Sequence, residues 1–123
     1  MKKRILIVDD SATIRTAVAM TLDKNGYQTV SAVDGIDALD KISNTDVDMV
    51  ITDLNMPNMD GFSLTKALRE NQKTKFKPII ILTTETDNEK KLQGKKAGAS
   101  GWIEKPFQAN NLIKVVRMAL GSA

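Results

Sequence analysis

Ile5-Leu6-Ile7-Val8-Asp9-Asp10 decides the fold. Four apolar residues in an unbroken run, mostly β-branched, suit a strand covered on both faces, the signature of a parallel sheet rather than a half-exposed antiparallel one. The run is far shorter than the roughly 20 residues a membrane-spanning helix needs, and the two aspartates that close it rule out the apolar segment of an export signal despite the basic Met1-Lys2-Lys3-Arg4 start. Downstream, Ile14, Val18 and Leu22 recur every four residues up to Asn25-Gly26, so about Thr13 to Lys24 reads as an amphipathic helix with a glycine stop. The alternation continues. Tyr27 to Ala32 is a weaker strand, Ile36, Leu39 and Ile42 mark a helix, Met49-Val50-Ile51-Thr52 is a strand ending at Asp53, and Leu64, Ala67 and Leu68 mark a helix. Ile79-Ile80-Ile81-Leu82, introduced by Pro78, is a fourth strand, and a polar helix follows from about Asn88 to Ala97. Trp102-Ile103 is a short fifth strand before Lys105-Pro106, and Leu112, Val115, Val116 and Ala119 define the last helix. Five strands alternating with five helices through short links predict one α/β domain over residues 1–123, an open doubly wound parallel sheet with helices on both faces.

Composition narrows the chemistry. The 123 residues include no cysteine and no histidine, which removes disulfides, thiolate and imidazole metal ligands and every Ser-His-Asp arrangement. Carboxylates, lysine and hydroxyls remain. The net charge of +3 conceals a polarised chain: residues 1–60 carry 6 basic and 10 acidic side chains, a net of −4, and residues 61–123 carry 12 and 5, a net of +7. Such a field steers charged partners without naming one. Lys90, Lys91, Lys95 and Lys96 crowd the fourth helix, where the plain reading is a solvated face and the sharper one is a docking site for an acidic segment. No aromatic residues interleave with them and the glycines form no phosphate-binding loop, so neither nucleic acid nor a nucleotide is expected. A cytoplasmic protein without a membrane segment is expected.

In doubly wound sheets ligands bind beyond the carboxyl ends of the strands. Asp9-Asp10 ends the first strand, Asp53 the third and Thr83-Thr84 the fourth, while the fifth runs into Lys105. If those strands are neighbours, three carboxylates converge on a lysine and two hydroxyls. Two carboxylates about 5 Å apart repel by roughly 3 kcal/mol at an effective dielectric near 20, so the cluster calls for a cation. Oxygen-only donors favour a hard divalent ion, and Mg²⁺ fits best because it accepts one or two carboxylates plus waters and bridges readily to phosphate. Taken singly, Asp9-Asp10-Ser11 is helix-capping chemistry, Asp60-Gly61 a turn, and Thr83-Thr84 simple strand formers. Only the constellation changes that.

Ile7-Val8-Asp9-Asp10, Asp53 to Gly61, Leu82-Thr83-Thr84 and Lys105-Pro106-Phe107 together resemble the motifs of response-regulator receiver domains of the CheY-like, stand-alone chemotaxis type. The resemblance covers almost the whole chain and implies the flavodoxin-like strand order 2-1-3-4-5. It implies that Asp53 accepts a phosphoryl group from the phosphohistidine of a CheA-like histidine kinase. Asp10 and Asp53 then bind Mg²⁺ directly, the Asn55 backbone carbonyl is a further ligand, and Asp9 acts through a metal-bound water. Lys105, preceding a cis proline, pairs with phosphoryl oxygens. Thr83 swings toward the phosphate and Trp102 fills the space it leaves, Trp102 standing where the family usually has tyrosine or phenylalanine. Asn55 and Glu85, with Thr84 narrowing the route to Asp53, tune how fast water removes the phosphate. The implied partners are the kinase, a flagellar motor switch protein and a phosphatase, with the chain a monomer. Ending after the fifth helix, it is expected to carry no output domain. The alternatives are a phosphate sink or phosphorelay intermediate and, from another class, a small Mg-dependent phosphatase or phosphotransferase, for which the links are too short to build a cap.

Overall fold

Strand β1 (Arg4–Val8) is buried from Ile5 onward on both faces, as its unbroken apolar run requires. The computed structural model describes residues 2–121 of the chain. After β1 come α1 (Ala12–Lys24), β2 (Gln28–Ala32), α2 (Gly35–Asn44), β3 (Met49–Thr52), α3 (Gly61–Glu70), β4 (Ile79–Thr83), α4 (Asn88–Ala97), β5 (Gly101–Glu104) and α5 (Ala109–Leu120). All pairings are parallel and the strand order is β2-β1-β3-β4-β5, the flavodoxin-like order that the resemblance implies. Element boundaries fall within a residue or so of the periodicity, with β5 longer at both ends than Trp102-Ile103.

The strand alternation sorts side chains into two cores. Ile5, Ile7, Met49, Ile51, Ile80 and Leu82 point to one face, where Val18 and Leu22 of α1 and Leu112, Ile113 and Val116 of α5 cover them. Leu6, Val8, Val50 and Ile79 point to the other, under Ala38 and Ile42 of α2 and Leu64 and Leu68 of α3. Each fully buried branched side chain contributes about 1.5–3 kcal/mol of transfer free energy, so the central strands are the rigid frame.

Helix α4 differs. Among its residues only Gly94 is buried, and it lies against Ile81 and Trp102, next to a small third cluster of Leu54, Phe62 and Ile81. An element with so little buried apolar surface opens at low cost, the property expected of a part that moves.

Side-chain caps define the helix starts at the carboxyl end of the sheet. Ser11, Asp34, Asp60 and Asp87 accept from backbone N–H groups in the first turns of α1, α2, α3 and α4. Asp60 is thus the N-cap of α3, a more specific role than the turn read from Asp60-Gly61. The Lys105–Pro106 peptide is cis, in agreement with the resemblance.

Candidate functional site

Register carries the carboxylates to one level. Val8 lies beside Thr52, and the ladder continues past both strand ends, with Asp53 N–H donating to the Val8 carbonyl at 2.9 Å and Asp9 N–H to the Ala32 carbonyl at 3.1 Å. On the other side Thr83 pairs with Glu104, and Lys105 N–H donates to the Thr83 carbonyl at 2.8 Å. The backbones of Asp9, Asp53 and Lys105 are therefore fixed by the sheet, not by flexible loops.

One oxygen from each of Asp9, Asp10 and Asp53 lies within 4.8 Å of the others. Asp9 and Asp53 are buried and Asp10 is exposed at the mouth. The Lys105 ammonium reaches in from β5 to Asp9 Oδ2 at 2.8 Å and Asp53 Oδ2 at 3.2 Å. Burial alone would lower the lysine's pKa; the hydrogen bond to Asp9 and the charges of Asp53 and Asp9 outweigh that and raise it. Lys105 is thus held charged, and it is the cation the crowded aspartates call for. The remaining oxygens have backbone donors: Asp9 Oδ1 accepts from Ser11 N–H at 2.9 Å and Asp53 Oδ1 from Leu54 N–H at 2.7 Å. Asp9 and Asp53 are each engaged on both oxygens while Asp10 stands exposed at the mouth, and the donor set, all oxygen, suits a hard divalent cation.

Gly61 explains why the loop that follows Asp53 sits so close to α3. A Cβ there would lie 2.4 Å from the Asp53 carbonyl oxygen, and only glycine allows the helix start to approach that backbone.

Thr83 lies beneath this rim, fully buried, its hydroxyl accepting from Glu85 N–H at 3.3 Å. Trp102 donates its indole N–H to the Glu85 carbonyl at 3.0 Å. The backbone of Glu85 thus joins the two residues of the expected switch. The indole is half-buried in this conformation, and Gly94 makes room for it: a Cβ on Gly94 would stand 2.9 Å from Trp102 Cζ3. Asn55 and Thr84 are exposed in the loops after β3 and β4.

Two contributors escape sequence reasoning. Arg15, one turn into α1, donates to the Asp9 carbonyl at 2.7 Å and braces the β1–α1 turn. Asp34, the α2 cap, accepts from Asn58 Nδ2 at 2.7 Å, and Asn58 stands at φ +70° in the loop that carries Asn55. Asp34-Gly35 before an amphipathic helix signals a cap; its grip on Asn58 spans 24 positions and has no local signature.

The description "response regulator receiver domain" fits residues 5–117. The chain belongs to the response-regulator receiver domains. It is 38% identical over 121 residues to the chemotaxis protein CheY1 of Helicobacter pylori, covering 97% of this chain and 98% of that one. It is 40% identical over 110 residues to CheY-3 of Vibrio cholerae, covering 89% and 85%. Among solved structures, the chemotaxis protein CheY4 of Vibrio cholerae matches with a TM-score of 0.94 and 45% identity, over 98% of this chain and all 100% of that one. The receiver domain of a Pseudomonas aeruginosa sensor histidine kinase, solved with a magnesium ion coordinated in its active-site cleft, matches with a TM-score of 0.90 and 27% identity, over 99% and 100%. Receiver domains are response-regulator modules activated by phosphorylation, and they generally bind Mg²⁺ at the acidic site. Among the described residues no helix is long and apolar enough to cross a membrane.

Proposed function

We infer that this receiver takes a phosphoryl group onto Asp53 from a histidine kinase phosphohistidine, in chemotaxis, and signals from the cytoplasm as a monomer by contact with a flagellar motor switch protein. One observation carries the reading: a charged lysine bridging Asp9 and Asp53 under a third carboxylate, at the carboxyl edge of a receiver sheet. The likeness to CheY1, CheY-3 and CheY4 supports the chemotaxis role.

In the transfer, an Asp53 carboxylate oxygen attacks phosphorus. The phosphorus–nitrogen bond breaks, its electron pair returns to the donor imidazole, and Asp53 becomes an acyl phosphate. Mg²⁺ held by Asp10, Asp53 and the Asn55 carbonyl, with Asp9 acting through water, would neutralise charge on the phosphoryl oxygens. Lys105 exchanges its contact with Asp53 Oδ2 for a phosphoryl oxygen and keeps Asp9, so the positive charge is in place before the group arrives. The donor brings its own activated bond, which is why the absence of histidine is no obstacle. Water later attacks phosphorus, releasing inorganic phosphate and restoring the carboxylate; Asn55, Thr84 and Glu85 border that approach and set its rate.

Three aspartates against a divalent ion and one lysine balance, so an arriving phosphoryl group leaves excess negative charge that a new donor must meet. Thr83, buried at the end of β4, is the hydroxyl for that part. Turning it toward the phosphate releases Glu85 N–H and so loosens the residue whose carbonyl, in the next peptide unit, anchors Trp102, passing a local charge change to β5 and α4.

Incubation with acetyl phosphate and Mg²⁺ followed by intact mass measurement tests the chemistry. A phosphoryl-sized gain absent in Asp53→Asn is expected; persistence in that variant moves the nucleophile elsewhere. Titrating a motor switch peptide with the beryllofluoride-loaded protein tests the role: tighter binding than to the unloaded form is expected, and no gain points to a phosphate sink or relay.

A further inference from the structure

Away from the acidic rim, at the amino ends of β4 and β5, the α3–β4 loop and the last turns of α5 border a groove of about 580 Å³. Its lining includes the two most exposed large apolar side chains among the described residues, Phe76 at 87% and Met118 at 79%. Ile80 and Val115 also line it. Lys75 and Lys77 stand on the rim and no acidic residue lines it. Lys75 forms no ion pair among the described residues and rests 5.0 Å above the Phe76 ring; Lys77 reaches Asp48 only at 4.0 Å.

The loop is built to hold this arrangement. Arg69 donates through Nη1 to the carbonyls of Thr74, Lys75 and Lys77 at 3.3, 3.1 and 2.7 Å, and through Nε to that of Gly98 at 2.9 Å. Thr74 is buried, its hydroxyl on the Leu68 carbonyl at 2.7 Å. Phe76 is therefore displayed from a braced backbone, and binding there needs little ordering. An apolar slot with a cationic rim, unoccupied by the chain's own side chains, matches one kind of occupant.

We propose that this groove docks an acidic segment of a partner protein that inserts one large apolar side chain between Phe76 and Met118, with its carboxylates against Lys75 and Lys77. A bilayer is the poorer match, because the apolar surface is a concave slot with two rim cations, whereas membrane adhesion wants a convex apolar face and several more. A second copy of the chain is also poorer, since the half that bears the groove carries the net +7. The site is independent of the phosphoryl chemistry, which lies at the other end of the sheet.

The test is amide chemical-shift mapping of the full-length ¹⁵N-labelled protein with a short glutamate-rich peptide bearing a central phenylalanine, a twin with serine at that position, and phosphatidylglycerol vesicles. Saturable shifts at Lys75, Phe76, Lys77, Val115 and Met118 are expected, weakened roughly tenfold by the serine twin, by Phe76→Ser and by Lys75→Glu, and unchanged by Lys95→Glu on α4. Phe76 and Lys75 make no core contacts, so thermal melts of these variants should match the parent. The proposal is overturned if the peptide shifts only α4 amides, if Phe76→Ser binds as well as the parent, if vesicles perturb the groove and the peptide does not, or if sedimentation shows copies of the chain pairing through it.

Discussion

Lys105 and Arg69 are both partly buried cations, and their surroundings send them in opposite directions. Lys105 faces two carboxylates and its pKa is raised; Arg69 faces neutral carbonyls and a serine hydroxyl, and burial lowers its pKa. Carboxylates can be exchanged for another anion, so the Lys105 pairing is transferable. Carbonyls of the Arg69 loop have no competitor, so that pairing is permanent. The same physical ingredient gives a switch at one end of the sheet and a brace at the other.

Removing each cation separates the two roles. Lys105→Ala should slow phosphorylation by acetyl phosphate about 10²-fold or more, the usual loss when a positioned donor to a developing charge is deleted. Arg69→Ala should leave that rate nearly unchanged and lower stability by about 2 kcal/mol in urea unfolding, because several carbonyls lose their donor together. A rate loss in Arg69→Ala comparable to that of Lys105→Ala would dissolve the distinction. Gly61→Ala should act on both properties: its Cβ meets the Asp53 carbonyl, costing about 1–3 kcal/mol and displacing Asp53.

The β5 side sharpens the comparison with smaller effects. Gly94→Ala gains helix propensity of about 1 kcal/mol and meets the indole at 2.9 Å, so stability should change little while Trp102 emission shifts and its response to beryllofluoride with Mg²⁺ diminishes. An unaltered emission spectrum would show that α4 yields instead of the ring. The smallest effect is at Asp34, whose pKa is lowered by the Asp37 N–H and the Asn58 amide. Its folded-state pKa lies below the unfolded one, so the stability it contributes is present above about pH 4 and disappears as pH falls further. The stability gap between the parent and Asp34→Asn should be constant from neutral pH down to that point and narrow below it; a gap that widens in acid contradicts the assignment.

What was legible in the sequence follows the same division. Each catalytic candidate terminates a short apolar run, so strand ends and chemistry are read together at Asp9-Asp10, Asp53, Thr83 and Lys105. The sheet order needed the family resemblance, because periodicity says which segments are strands and not which are neighbours. Side-chain hydrogen bonds between distant positions were silent: Arg69 with Gly98, Asp34 with Asn58, and Glu85 with Trp102 join ordinary residue types across loops, and only the fold brings them together. Gly94 carries no signal of its own within a polar helix; its role comes from the indole beside it.

The transferable pairing of Lys105 is the centre of the account, and a single ¹⁵N spectrum reads both cations. On adding beryllofluoride and Mg²⁺, the Lys105 Nζ resonance should move markedly while the Arg69 Nε resonance stays in place. A Lys105 resonance that does not respond, with binding confirmed by mass, would contradict it.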